Sequence, residues 1–241
     1  MNRLQSELRR LYLLPSSAAD GQLIDESGQV RAMVMELAGP ANWDELSKVW
    51  RGVQADLDLP APAIAVSGTD GLQLWFSLQQ PMSALRAVAF LAHLQSRYLA
   101  DVTPARLRLS PSADGRSFDA ALVPAQQEPT ENWSAFVAPD LAPVFADTPW
   151  LDIPPGIEGQ ADLLARLESI KPAALAAAMQ RLQPAVSAGS PPATQPPSAG
   201  VDPKHFLQQV LNDETAALAL RVEAAKALLR HAEQPGSRQD D

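Results

Sequence analysis

Apolar residues recur along this chain in two periods, and the alternation between them divides it into elements. Leu4, Leu8 and Leu11 share one helical face, predicting a helix over 2–14 that Pro15 and Ser16-Ser17 close. Loop signals follow at Asp20-Gly21 and Ser27-Gly28, and the nearly unbroken run Val30 to Leu37 reads as a buried central strand stopped by Gly39-Pro40. Leu46, Val49, Trp50, Val53 and Leu57 return at helical spacing, with Asn42 as cap and Glu45 three residues on. Ala63 to Val66 is a short apolar run. Leu72, Leu74, Phe76 and Leu78 then alternate with Gln73, Trp75 and Ser77. Ser67-Gly68-Thr69-Asp70-Gly71 between the two runs is turn chemistry, so 63–78 is predicted as a β-hairpin with a bulge. Ser83 caps a second helix to about Leu99, Arg106 to Leu109 alternates as a half-buried strand, and Phe118 to Val123 reads as a further strand.

Residues 30–124 thus follow the order β-α-β-β-α-β. The expected fold class is α+β: a ferredoxin-like or RNA-recognition-motif-like (RRM-like) antiparallel sheet with two helices, 43–58 and 83–99, on one face. Residues 1–29 precede it as an N-terminal helix and loop. Residues 125–183 change character, with Trp133, Phe136, Phe145 and Trp150 set among prolines, and acids (Glu128, Glu131, Asp140, Asp147, Asp152, Glu158, Asp162, Glu168) outnumbering bases (Arg166, Lys171, Arg181). An irregular extension is expected there, with short helices at 140–145 and 159–169 and a helix at 172–182. Residues 184–200 hold five prolines and no charge, the composition of a linker. Helices are predicted at 204–211 and 215–231. The second carries Leu218, Val222, Ala225 and Leu229 on one face, so 201–231 reads as a helical interaction module, and 232–241 as a disordered tail.

Composition narrows the chemistry. The net charge of −9 argues against non-specific nucleic-acid binding over the whole surface, which depends on Lys and Arg displacing counterions. The absence of cysteine excludes disulfides, thiol catalysis and Cys-ligated metals. The three histidines, His93, His205 and His231, lie far apart in sequence and show no paired metal-ligand spacing. There is no Gly-x-x-x-x-Gly-Lys-Ser/Thr loop, no Gly-x-Ser-x-Gly elbow, and no long apolar run of the kind a signal peptide or membrane span requires. A cytoplasmic protein without membrane partners is expected.

The hairpin sequence Ser67-Gly68-Thr69-Asp70-Gly71-Leu72-Gln73-Leu74-Trp75-Phe76, in this element order, resembles the nucleotide-binding motif of archaeo-eukaryotic primases. That family includes the primase-polymerases and the polymerase domains attached to bacterial DNA-repair ligases. Its motif runs Ser-Gly-x-x-Gly-x-His into an aromatic-rich strand. Leu107-Arg108-Leu109-Ser110-Pro111-Ser112 resembles a loosened form of its Arg-Leu-Pro-Gly-Ser motif. Met33-Val34-Met35-Glu36-Leu37-Ala38 stands where the family has apolar-Asp-apolar-Asp, the pair that holds two divalent metals. The resemblance implies nucleotide or phosphate binding at Ser67, Gly68, Gly71, Gln73, Arg106 and Arg108, a base-stacking role for Trp75, and a vestigial metal ligand in Glu36.

The departures carry as much weight. Ala38 replaces one metal-binding carboxylate and Gln73 replaces the histidine. Two-metal phosphoryl transfer needs several oxygen ligands, so no catalytic residue and no polymerase chemistry are expected; Mg²⁺ or Mn²⁺ would enter only if the altered site still functions. Each residue also has a plainer reading. Ser67 and Gly68 turn the chain, Glu36 pairs with a neighbouring base, and Arg106 and Arg108 form the solvated face of an edge strand. Trp50 belongs to a core, whereas Trp75, opposite in phase to Leu74 and Phe76, is the aromatic expected to be exposed. At the far end of the chain, segments 202–207 and 220–229 resemble parts of phage small-terminase proteins.

Two functions follow as expectations. One is a catalytically degenerate primase-polymerase-like protein of DNA metabolism that binds nucleotide or single-stranded nucleic acid. The other is a non-enzymatic scaffold that binds no nucleic acid, with a protein partner or self-association through 201–231.

Overall fold

Five strands, β1 (Gln29–Ala38), β2 (Ala63–Val66), β3 (Gly71–Ser83), β4 (Leu107–Ser110) and β5 (Ala135–Val137), form one sheet in the order β4-β1-β3-β2-β5. Every pairing is antiparallel. The chain is α+β, and its first four strands have the 4-1-3-2 order of a ferredoxin-like sheet. These features come from a computed structural model, which describes residues 2–15 and 21–183; the described residues fall in a unit spanning Met1–Val186. The linker, the helices and the tail expected beyond 183 lie outside them, as do the terminase-like segments and the self-association expected there.

The helices are α1 (Arg3–Leu11), α2 (Trp43–Ala55), α3 (Ala84–Tyr98), α4 (Ile157–Ala165) and α5 (Pro172–Leu182). Among the described residues none is long and apolar enough to cross a membrane. Asn42 caps α2 by accepting from the Glu45 amide at 3.2 Å, as its position foretold. Asn2 and Gln5 form a reciprocal capping box on α1. Ser83 precedes α3 without a side-chain cap, because β3 runs directly into the helix and the Ala84 amide donates to the Gly28 carbonyl instead.

Period-two alternation decides which core each strand residue enters. Met33, Met35 and Leu37 of β1 and Leu72, Leu74, Phe76 and Leu78 of β3 pack under α2, α3 and α5. The alternate residues, Ala32 and Val34 with Trp75, enter a second core with Leu4, Leu8, Leu11 and Tyr12 of the N-terminal segment and Ala161 and Leu164 of α4. The sheet is therefore covered on both faces. The expected pair of helices does lie on one face, and residues from both flanking segments cover the other.

Two local expectations need correction. Phe118 to Val123 is not a strand. The segment crosses the second face, buries Val123 and packs Phe118 and Leu122 there. Its Ala120 amide donates to Ser110 Oγ at 3.0 Å rather than to a ladder, and Pro124 closes it without a donor. The additional strand is β5, at the opposite edge against β2. The bulge lies in β1, between Val30 and Ala32, whereas the hairpin pairs in continuous register from Ala63↔Trp75 to Val66↔Leu72.

Candidate functional site

Along β3 the residues that face the second core change character in order, and each change has a local cause. At the helix end, Ser77 Oγ donates to the Leu11 carbonyl at 2.7 Å and lies 2.6 Å from Ser169 Oγ, so this hydroxyl caps the end of α1. Arg31 reinforces that end, donating to the carbonyls of Arg10 at 2.8 Å and Leu13 at 3.1 Å; a cation there also suits the helix dipole. One step along, Trp75 is 0 % exposed and packs edge-on against Tyr12 and Phe136, with ring centroids 5.3 and 6.1 Å away. The expected exposed, base-stacking Trp75 is thus overturned: α1 and β5 bring aromatic rings onto its face. Tyr12 Oη is itself buried without a partner, and this burial raises the phenol's pKa far above its ordinary value.

At the hairpin end, cross-strand register makes Glu36 the direct neighbour of both Gln73 and Arg108. The three side chains form one connected row. Trp75 Nε1 donates to Gln73 Oε1 at 2.8 Å, Gln73 Nε2 donates to Glu36 Oε2 at 2.7 Å, and Arg108 Nη1 donates to Glu36 Oε1 at 2.7 Å. Arg108 also holds Asp70 through Nη1 at 2.8 Å and Nη2 at 3.1 Å. The bonds to Asp70, together with the charge of Glu36, raise the guanidinium's pKa, and the same bonds from Arg108 hold the Asp70 carboxyl below its usual range. Glu36 is only 7 % exposed, and both its oxygens are engaged. A guanidinium thus stands between two carboxylates, where a metal centre would need a cation and further oxygens. Among the described residues no group of three or more His, Asp or Glu is placed to hold a metal ion. Glu36 and its neighbours do not fit the two-metal centre of the resembled family.

The loop Ser67–Gly71 is equally self-contained. Ser67 Oγ accepts from the amides of Thr69 at 3.1 Å and Gly71 at 2.9 Å, and the Gly68 amide donates to the Pro149 carbonyl at 3.0 Å. Amides that would cradle a phosphate are spent inside the chain. Both glycines have steric reasons. Gly68 has φ +83°, and a Cβ there would stand 2.8 Å from the Ser134 amide nitrogen. At Gly71 a Cβ would stand 2.6 Å from Glu36 Oε1. Ser67, Gly68, Gly71, Gln73, Glu36 and Arg108 are therefore brought together as the sequence suggested. Arg106 is not among them: it lies in a 3-10 turn before β4, donates to the Pro40 carbonyl at 2.8 Å and pairs with Glu45 of α2 at 3.0 Å.

A polar cavity of about 190 Å³ remains beside the row, walled by Glu36, Gln73 and Arg108 and by Asp119, Gln127 and Ser134 from the covering loops. In the sequence Asp119 is a spare acid near the motifs whose plainer reading is a strand-edge residue, whereas Gln127 and Ser134 went unforeseen as parts of an irregular extension. Gln160 was also missed. Its side-chain amide accepts from the Phe136 amide at 2.7 Å and donates to the Phe136 carbonyl at 2.9 Å, closing the outer edge of β5 as a neighbouring strand would. A lone glutamine on an amphipathic helix gives no signal for this. Tyr12 was missed too, and the apolar run Leu11-Tyr12-Leu13-Leu14 at the end of α1 is the signal that could have found it. No protein-family model matches the sequence, and no curated protein matches it significantly.

Proposed function

We propose that this chain is a catalytically inactive protein of primase-polymerase-like plan that acts as a non-enzymatic protein-interaction module. One observation carries the reading: the row Trp75–Gln73–Glu36–Arg108–Asp70 satisfies its own hydrogen bonds, buried from Trp75 to Glu36 and reaching solvent at Arg108 and Asp70. Substrate binding at Gln73 or Glu36 would have to break buried bonds between protein groups, each costly to leave unmade. Local charge points the same way. Glu36 and Asp70 pair with Arg108, the cation in the cavity lining, and Asp119 lines the same cavity, so the acids there outnumber the base and the field disfavours a triphosphate.

The cavity beside Arg108 favours a second reading, in which the degenerate site still takes a nucleotide or single-stranded nucleic acid in DNA metabolism. Filter binding at low salt separates the two, alongside template-dependent nucleotide incorporation with Mg²⁺ or Mn²⁺. The expected result is neither incorporation nor retention of nucleotide or single-stranded DNA. Incorporation abolished by Glu36→Ala would restore an active primase. Retention weakened by Arg106→Ala with Arg108→Ala would favour the nucleotide-binding reading.

A further inference from the structure

The row of polar groups uses little of the acidic stretch that follows β4. Residues 117–165 contain no Lys, Arg or His but eight acids: Asp119, Glu128, Glu131, Asp140, Asp147, Asp152, Glu158 and Asp162. The large exposed apolar side chains concentrate in the same region. Among the described residues there are Leu85 and four others, Leu141, Val144, Ile153 and Ile157. Single exposed apolar residues are ordinary; four within one short stretch are not. The 3-10 turn Ala142–Phe145 explains the first pair, since Ala142 and Phe145 pack into the core beneath it while Leu141 and Val144, three residues apart, stay outside. Ile153 and Ile157 bracket Pro154-Pro155-Gly156, and Ile153 is 72 % exposed.

This stretch begins at the rim of an apolar groove of about 290 Å³, walled by Trp50, Pro62, Ile64, Val137 and Leu167. Asp140 and Arg166 are the charged groups of its lining. Glu158 and Asp162 pair with Arg3, whereas Asp140, Asp147 and Asp152 form no ion pair among the described residues. We propose that the groove and residues 138–157 form a docking surface for a basic protein segment with apolar anchor side chains. The inference rests on reading the chain as an interaction module and names the chemistry of its partner. Apolar anchors would supply affinity at the groove and the exposed side chains, and the free carboxylates would select and orient a cationic segment. Strand addition is not the mode, because Gln160 already closes the outer edge of β5. An isologous contact with a second copy is opposed by charge, since it would set these acids against themselves.

The test uses the full chain and a fluorescein-labelled amphipathic Lys/Leu peptide read by fluorescence anisotropy, with a Glu/Leu peptide of the same spacing as control. The Lys/Leu peptide is expected to bind and the Glu/Leu peptide not. Leu141→Ser with Val144→Ser should weaken binding at least about tenfold, as the loss of anchors does. Both positions are exposed, so the thermal melt should not change. Asp147→Asn with Asp152→Asn should weaken binding roughly threefold to tenfold at low salt, as the loss of two exposed pairs would. Glu26→Gln with Asp101→Asn removes the same charge elsewhere and should leave binding unchanged. Equal losses from both charge pairs would assign the attraction to the whole −9 surface and overturn the proposal. So would binding indifferent to Leu141 and Val144, a mass in light scattering that halves on their replacement, or no binding of the Lys/Leu peptide. Such failures concern this surface alone, because the interaction reading itself falls only to nucleotide or nucleic-acid binding, or to incorporation, in the assays of the preceding section.

Discussion

The two faces of the sheet are made from alternate residues of the same strands, yet they are held by different chemistry. Toward α2, α3 and α5 the strands present Met33, Met35, Leu37, Leu72, Leu74 and Phe76, all apolar and buried. Toward α1 and α4 they present Ala32, Val34 and Glu36 from β1, and Gln73, Trp75 and Ser77 from β3, which are mixed in character and equally buried. The first face needs only matched apolar surfaces. On the second, the buried polar side chains of the strands each find a named partner, because an unpaired buried polar atom is costly, while Tyr12 Oη beside them stays without one. Its helices are accordingly fixed by polar clamps: Arg31 and Ser77 on the end of α1, and Arg10 on the carbonyls of Leu164 at 2.9 Å and Leu167 at 3.0 Å at the end of α4. A polar residue in a strand therefore does not by itself mark a face open to ligand.

The comparison breaks most visibly at Trp75. If the second face is a true core, Trp75→Ala should cost about 3–5 kcal/mol, comparable with or above Leu74→Ala on the first face at about 2–5 kcal/mol. Urea denaturation of both variants measures this. A change within about 0.5 kcal/mol for Trp75→Ala, as surface positions show, would return the indole to solvent.

A smaller effect is expected at Glu36. Glu36→Ala leaves Gln73 Nε2 without its acceptor and removes one of the two carboxylates on Arg108. The cost should be about 1–3 kcal/mol, toward the lower end because the Arg108 side chain is 56 % exposed and can turn to water. Glu36→Gln should recover part of it. A neutral Glu36→Ala in the same urea series would mean that the second face does not depend on its polar row.

The smallest effect, and the one with a pH signature, belongs to Asp70. Its folded pKa lies below the unfolded value because Arg108 donates to it. That stabilisation is present above the unfolded pKa of about 4 and is lost as pH falls through the lower folded value. Asp70→Asn should therefore cost about 0.2–1 kcal/mol at neutral pH, less at high salt, and wild type and variant should converge as pH falls through that lower folded value. Melting curves from pH 7 to pH 2 read this directly; a constant difference across that range would place the effect outside the Asp70 carboxyl.

Much of the first face was legible. Helical spacing at Leu46, Val49 and Val53 and alternation at Leu72, Leu74 and Phe76 are local patterns with a single low-energy solution, and the capping Asn42 marks its helix start by hydrogen-bonding chemistry alone. The hairpin 63–78 announced itself through Gly68 and Gly71, whereas Glu36, Gln73 and Arg108 were expected at one site only through the resemblance of their segments to one family's motifs. The second face was less legible. Nothing near Trp75 in sequence says that Tyr12 and Phe136, each about sixty residues away, will close over it. Phe118 to Val123 has the composition of a strand, but a strand also needs a free edge in register, and this segment is drawn across the face by the burial of Val123.

The sequence by itself determined the α+β class, the order of the elements through β4, the opposite phases of Leu74 and Trp75 along β3, and the absence of thiol chemistry. All of these depend on residue type and short-range period. Tertiary structure alone decided that the second face is closed, that Arg108 meets Glu36 and Asp70 while Arg106 turns to Glu45, and that Gln160 seals the edge of β5. Those outcomes join residues as far as 157 positions apart. Only the folded chain brings their hydrogen-bonding groups within reach of one another, and local pattern carries no record of such a meeting.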